Sequence, residues 1–203
     1  MRRRLLLRLS KIRMTPGALV IFFLCSLLLQ SCGQATSSNV VHVKSSATGE
    51  KDLAIKSGYA FAITKTFTDL NGKMTTASAY NIYLGNYDLD SKNFAMSMDK
   101  PLTGDDQMRV VFNLIGDEGT NEKSPLKAGA YSAKADKFMK AESVGIVARK
   151  NGADVKSWLD RSTLTGEVKV SSVSTDEISG DVDLSSGDIS IKGAFTAKVL
   201  KRK

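Results

Sequence analysis

The sequence has little of the chemistry on which most catalytic and metal sites depend. Its 203 residues include one histidine, two cysteines and one tryptophan. A Ser-His or Cys-His catalytic centre would have to use His42, which lies in a polar stretch near the N-terminus. Three Cys and His residues also cannot supply the four ligands of a usual structural zinc site. With no Gly-rich phosphate loop and no Gly-x-Ser-x-Gly motif, we expect no cofactor and no resident metal.

A run of apolar residues long enough to span a membrane is also missing. The longest such stretch extends from Ala18 to Leu29, about a dozen residues, whereas a membrane-spanning helix needs about 20. The basic residues before it, with no acid among them, are Arg2, Arg3, Arg4, Arg8, Lys11 and Arg13. A basic region, a short apolar region and a small residue at the exit are typical of a secretory signal. We therefore interpret residues 1–31 as a cleaved signal peptide.

The end of the apolar run carries a more specific signal. It reads Leu29-Gln30-Ser31-Cys32, which resembles the lipobox of bacterial lipoprotein precursors. The resemblance covers about the first sixth of the chain. It implies cleavage between Ser31 and Cys32, a diacylglycerol on the Cys32 thiol and a fatty acyl chain such as palmitate on the new amine. Several acyl chains on one residue hold a protein firmly at a membrane, so Cys32 is the expected lipid-attachment site.

The residue after Cys32 bears on the membrane in which the lipidated protein would reside. In the enteric members of that family, Asp at this position retains a lipoprotein in the inner membrane, and most other residues release it. Gly33 occupies the position in this chain, and no acidic residue occurs before Glu50. The resemblance therefore implies the periplasmic face of the outer membrane, where a second membrane exists.

The charge of the chain points away from nucleic acid. The formal net charge is +8, but the leader holds six of the 29 basic residues and none of the 21 acidic ones. The remaining chain has 23 basic and 21 acidic residues, so it is nearly neutral. We expect the membrane as a partner through the N-terminal lipid, an envelope protein or glycan as a candidate ligand, and no nucleic acid.

Composition divides the rest of the chain into two parts. Residues 33–57 are rich in Ser, Thr, Lys and Gly, so residues 32–57 are interpreted as the lipidated cysteine and a flexible tether, with at most an edge strand at its end. Residues 58–203 are expected to form a single domain. One segment of this domain, residues 133–143, has a helix-like composition.

Alternation of apolar and polar residues predicts that this domain is β. Tyr59, Phe61, Ile63 and Phe67 alternate with small or polar residues, and Asn71-Gly72 then signals a hairpin. The C-terminal third predicts a three-stranded antiparallel meander, whose last strand places Ile189, Ile191, Phe195 and Val199 on one apolar face. Gly193 within that strand indicates a bulge or bend. The expected fold is all-β, an antiparallel β-sandwich or a small β-barrel.

The remaining candidates for function are carboxylates and one aromatic residue. Asp88 and Asp90 form a D-x-D pattern, and Asp181, Asp183 and Asp188 form a second acidic group. Either could be a weak calcium site, but charged strand faces are more often simply solvated. Trp158 either packs at the edge of the core or serves as a sugar-stacking platform or interface anchor.

Three functions remain open at this stage. The first is a lipid-anchored envelope protein with a non-enzymatic binding domain. The second is a carboxylate-dependent envelope hydrolase, since two carboxyl groups at a suitable separation are sufficient for acid catalysis. The third is a carrier that holds a small apolar ligand inside a barrel.

The lipobox generates a direct test. Replacing Cys32 by Ala removes the thiol that accepts the diacylglycerol, so we expect the unprocessed precursor to accumulate. Mass spectrometry of the N-terminus should find a diacylglyceryl cysteine in the native chain and an intact leader in the variant. The matched control is Cys25→Ala, which should leave processing unchanged. A mature N-terminus at any residue other than Cys32 would contradict the assignment.

Overall fold

The computed structural model describes residues 39–93 and 101–201. The predicted signal peptide with its last residue Ser31, and the predicted lipid-attachment site Cys32, lie outside these ranges. The described residues form one compact unit that is all-β, as predicted, and none of them is helical. The strands are β1 (Val40–Ser45), β2 (Gly49–Ala54), β3 (Ser57–Thr68), β4 (Met74–Gly85), β5 (Met108–Glu118), β6 (Gly129–Ser132), β7 (Lys140–Lys150), β8 (Ala153–Trp158), β9 (Thr165–Val173), β10 (Glu177–Ser186) and β11 (Ile189–Leu200).

All these strands belong to one sheet that folds around a single core. The order of pairing is β10-β9-β6-β7-β5-β4-β3-β11-β1-β2, and β8 adds to β7 as an edge strand. Because β10 also pairs with β11, eight of the strands form a closed circuit of hydrogen bonding. Opposite parts of the sheet therefore face each other across the core, as the layers of a sandwich do.

The sheet is mixed, whereas the sequence predicted antiparallel pairing throughout. The pairs β6–β7 and β11–β3 are parallel, and the others are antiparallel. The connection from β6 to β7 produces the first parallel step, which breaks the alternation of strand direction. An eight-stranded circuit can close only with an even number of parallel steps, so a second one is needed where β11 meets β3.

The C-terminal meander is formed by β9, β10 and β11, as predicted. Ile191 and Phe195 are buried on its core face, whereas Ile189 and Val199 are half-buried. The Phe195 ring packs edge-on against Phe112 of β5, with ring centroids 5.2 Å apart. This contact joins the meander to the opposite part of the sheet through the centre of the core.

β3 places its small residues inside and its large ones outside. Ala60 is fully buried, while Tyr59 and Phe61 are half-buried on the outer face. The cause is the close approach of β11, since a Cβ atom on Gly58 would lie 2.3 Å from the backbone oxygen of Thr196. The inner side of β3 therefore has no room for aromatic side chains, and they lie on the outer face instead.

The folded domain begins earlier than the composition predicted. Residues 40–54, interpreted above as part of a tether ending at residue 57, form the β1–β2 hairpin, and Val41, Val43 and Leu53 are fully buried. β1 pairs with β11 around Gly193, where an added Cβ atom would lie 2.2 Å from the oxygen of Val40. Gly193 thus permits a close approach of two backbones. The domain therefore starts near Asn39 rather than at Gly58.

Two local predictions also differ in detail. The predicted hairpin at Asn71-Gly72 exists, but it is a five-residue connection held by Asp69, whose carboxylate accepts hydrogen bonds from the backbone of Asn71 and Lys73. Asn151-Gly152 makes the tighter turn, and both of its residues have positive φ, as a two-residue type I′ hairpin requires. Residues 133–143 turn the chain and begin β7, so their helix-like composition is overridden by tertiary pairing.

The β1–β2 hairpin can be tested by its stability. Leu53→Ala would leave a cavity in the core, so we expect a loss of about 2–5 kcal/mol in the free energy of unfolding. Lys51→Ala, two residues earlier on the same strand and exposed, is the matched control and should change little. Urea denaturation of both variants measures the difference. Equal stability of the two variants would mean that the hairpin is not part of the folded domain.

Candidate functional site

One row of side chains crosses the outer face of five neighbouring strands. Successive pairings join Tyr59 to Tyr83, Tyr83 to Val111, Val111 to Gly145 and Gly145 to Trp158. Directly paired residues lie on the same face of a sheet, so all five share the outer face. Three members of the row are aromatic, and Gly145, which has no side chain, leaves an open space between Val111 and Trp158. The row ends at Trp158, on the edge strand β8.

Trp158 lies flat on the gap that Gly145 provides. A Cβ atom built on Gly145 would lie 2.6 Å from Cζ3, 2.7 Å from Cε3 and 2.9 Å from Cη2 of the indole. Any larger residue at this position would therefore displace the ring. Trp158 is nevertheless 61% exposed, because only one side of its ring contacts the sheet. The ring therefore packs on the outer face of the sheet and is not part of the core.

A lysine accompanies the indole on the same face. Lys156 precedes Trp158 by two residues on β8, so their Cα atoms are about 6.8 Å apart. It is exposed, and none of the ion pairs among the described residues includes it.

Nearby carboxylates are held by other groups. Asp154, the next residue on this face, accepts hydrogen bonds from the Leu102 backbone at 3.1 Å and 3.2 Å and pairs with Arg149. The backbone and hydroxyl of Ser162 both donate to Asp160, which lowers the pKa of that carboxyl. Lys156 is therefore a cation beside the indole whose charge no ion pair among the described residues neutralises.

The outer face also holds a buried acceptor without a partner. Asn113 of β5 donates a hydrogen bond from its Nδ2 to Oδ1 of Asn81 at 2.6 Å. Its own Oδ1 is buried and has no hydrogen-bond partner. An unsatisfied buried acceptor costs about 1–3 kcal/mol, so this amide is a locally unfavourable feature of the outer face.

A cavity of about 710 Å³ opens at another part of the domain. Its apolar lining includes Ala62, Tyr80, Val173 and Val199, and its rim carries polar residues from the loop after β5 and the turn between β9 and β10. The Tyr80 hydroxyl donates to the Ser124 carbonyl at 3.2 Å, and burial raises the pKa of Tyr80. The volume is within the range of about 300–1,000 Å³ typical of small-molecule sites.

The acidic groups singled out in the sequence do not converge. Asp88 pairs with Lys56 at 2.8 Å, whereas Asp90 accepts hydrogen bonds from the backbone of Lys92 and Asn93. In the second group, Asp183 pairs with Lys192, and Asp188 accepts a hydrogen bond from the backbone of Ser46. Across the described ranges, no group of three His, Cys, Asp or Glu side chains could hold a metal ion.

His42 has a structural partner set that the sequence did not indicate. It lies on β1, and its ring nitrogens contact Asp52 at 2.7 Å and Glu50 at 2.9 Å on β2. The two carboxylates, Asp52 first, raise the pKa of His42. Its stabilising contribution is therefore complete below the unfolded pKa of about 6.5 and is lost as the pH rises through the higher folded value. The site is exposed, and this contact joins the two strands of the hairpin.

Comparison with known protein families, curated proteins and solved structures gave no match for this chain. In the part of the chain that the structure covers, no helix is long and apolar enough to cross a membrane.

The contact between the indole and Gly145 generates a spectroscopic prediction. Because Trp158 is the only tryptophan, the fluorescence of the protein reports on it directly. Gly145→Val should lift the ring from the sheet, so quenching by acrylamide should increase. Ser157→Ala, a neighbour on the opposite face of β8, is the control and should leave quenching unchanged. Identical quenching of the Gly145→Val variant and the native protein would show that the ring does not rest on Gly145.

Proposed function

We propose that the protein is a lipid-anchored lipoprotein of the bacterial cell envelope whose β domain binds an envelope component without catalysis. The anchor is supported by the lipobox Leu29-Gln30-Ser31-Cys32, with Cys32 as the lipidated residue. The expected location is the periplasmic face of the outer membrane where a second membrane exists.

The observation that carries the binding role is the position of Trp158. An indole that is 61% exposed keeps a large apolar surface in water, which is unfavourable unless a ligand covers it. Its support on Gly145 fixes the orientation of the ring, so little side-chain entropy is lost when a ligand binds. We name the surface formed by Trp158, Gly145 and Lys156 the indole surface. Aromatic residues with these properties are frequent at the centres of binding sites.

A hydrolytic function has less support from the described residues. Among the carboxylates with little exposure, Glu142 pairs with Lys65, and Asp154 holds Arg149 and the Leu102 backbone. These contacts position strands and loops, and they do not bring two carboxyl groups to face each other across a cleft. A carboxylate-dependent hydrolase would need such a pair.

The cavity favours a second candidate, the carrier of a small apolar ligand. Its mostly apolar lining and its volume of about 710 Å³ suit a small molecule. It is partly open to solvent, whereas the centre of the domain is filled by side chains such as Phe112 and Phe195. A ligand in this site would be held at the periphery of the core.

Photo-cross-linking in the host cell distinguishes the two candidates. A benzophenone amino acid at position 156 would lie beside the indole, and one at position 175 would lie at the rim of the cavity. The same residue at position 73, in the β3–β4 turn, is the control. We expect an adduct of the full chain at position 156 that disappears when Trp158→Ala is introduced.

The positions at which adducts form decide the proposal. An adduct at position 175 that is lost in the cavity-filling variant Ala62→Phe would show that the ligand binds in the cavity. The carrier function would then replace the proposed role of the indole surface. Labelling at positions 156 and 175 no greater than at position 73 would overturn the proposed binding role.

A further inference from the structure

We propose that the indole surface recognises an acidic polysaccharide, with a pyranose ring stacked on Trp158 and a carboxylate of the sugar paired with Lys156. This inference rests on the proposed binding function and names its ligand class. The juxtaposition that supports it is a flat, exposed indole and an unpaired cation about 6.8 Å apart along one edge strand.

The isolation of Trp158 favours a sugar over a protein partner. A stable protein interface buries about 800 Å² on each side and has an apolar centre with several large residues. The other exposed large apolar residues of the described chain are Leu70 and Met74, at the tip of the β3–β4 hairpin. That tip is about 30 Å along β3 from Tyr59, which lies in the same row as Trp158. One indole without a second exposed large apolar residue beside it matches a single sugar ring much better than it matches an extended apolar interface.

The orientation of the indole matches the shape of a pyranose. Since the inner side of the ring rests on Gly145, the opposite side is a flat apolar surface directed to solvent. A pyranose with equatorial hydroxyl groups has two faces of C–H bonds, which can lie on such a surface while its hydroxyl groups stay hydrated at the rim. A chain of β-1,4-linked equatorial sugars is extended and flat, so it can also follow the edge of the sheet beside β8.

The charges around the indole select an acidic sugar. Lys156 forms no ion pair among the described residues, and Arg149 balances the charge of Asp154, whereas Asp160 accepts hydrogen bonds from Ser162 and keeps its negative charge. Arg161 follows Asp160 in the chain, is also exposed and carries the opposite charge, so Lys156 accounts for the net positive charge beside the indole. An exposed ion pair contributes modestly, so the charge should set preference among sugars while stacking supplies most of the affinity.

A matched pair of oligosaccharides tests the inference on the full chain in detergent. The acidic probe is a tetramer of β-1,4-linked glucuronic acid, and the neutral probe is cellotetraose, which has the same linkage and ring geometry. Binding is followed by tryptophan fluorescence and by calorimetry. We expect the native protein to bind the acidic tetramer up to about fivefold more tightly than the neutral one, the size of one exposed ion pair.

Three variants assign the effect to named residues. Trp158→Ala should weaken binding of both sugars by about 30-fold, as loss of a dominant contact does. Lys156→Gln should remove the preference for the acidic sugar and leave the affinity for cellotetraose unchanged. Lys73→Gln, on the distant hairpin, is the control for net charge and should change neither. Calorimetry is needed for Trp158→Ala because this variant has no tryptophan.

Several results would overturn the inference. It fails if neither sugar binds, if both sugars bind equally to the native protein, or if Lys73→Gln reduces the preference as much as Lys156→Gln does. The proposed function is decided separately by the cross-links at position 156. A cross-linked adduct whose second component yields peptides of another protein by mass spectrometry, together with no binding of either sugar, would overturn the sugar ligand and leave the binding role in place.

Discussion

The fold depends on how closely β11 can approach its neighbours. This strand pairs with β10 along its length, with β1 around Gly193 and with β3 near its end. At two of these contacts a side chain would collide with a backbone, at Gly193 against Val40 and at Gly58 against Thr196. The two glycines therefore let one strand join the N-terminal hairpin, the β3–β4 hairpin and the C-terminal meander. Without this junction the circuit of strands would not close, and the contact between Phe112 and Phe195 would be lost.

The same close approach determines the character of the outer face. Because the inner side of β3 has room only for small side chains such as Ala60, the aromatic residues Tyr59 and Phe61 lie outside. Through strand pairing, Tyr59 belongs to the row that ends at Trp158. The close approach of β11 to β3 thus places Tyr59 on the outer face, at the end of the row opposite Trp158. The indole surface lies at the end of this row, where Gly145 leaves space for the ring of Trp158 to lie flat.

Predictions from the sequence succeeded where the determining contacts are local. The C-terminal meander follows from alternating residues and short turns, and its buried Ile191 and Phe195 were identified from period two alone. The β1–β2 hairpin was missed because burial of Val41 depends on β11, about 150 residues later in the chain. The exposure of Trp158 depends likewise on its pairing with Gly145. Gly145 interrupts the apolar run Val144–Ala148. This glycine was the one signal in the sequence that could have indicated a position against which a large side chain packs.

The early start of the domain changes what the proposed lipid anchor permits. A tether that ended at Ser57 would have allowed the domain to stand well away from the lipid. The folded hairpin instead begins at Val40, and Asn39 already accepts a hydrogen bond from the Thr196 backbone at 3.0 Å. Six residues lie between Cys32 and Asn39, and the seven Cα–Cα steps of a fully extended chain span at most about 25 Å. If Cys32 carries the lipid, the domain is confined to the layer next to the membrane, and its ligand must be present there. A polysaccharide that reaches the membrane surface meets this condition, whereas a rigid partner held farther away does not.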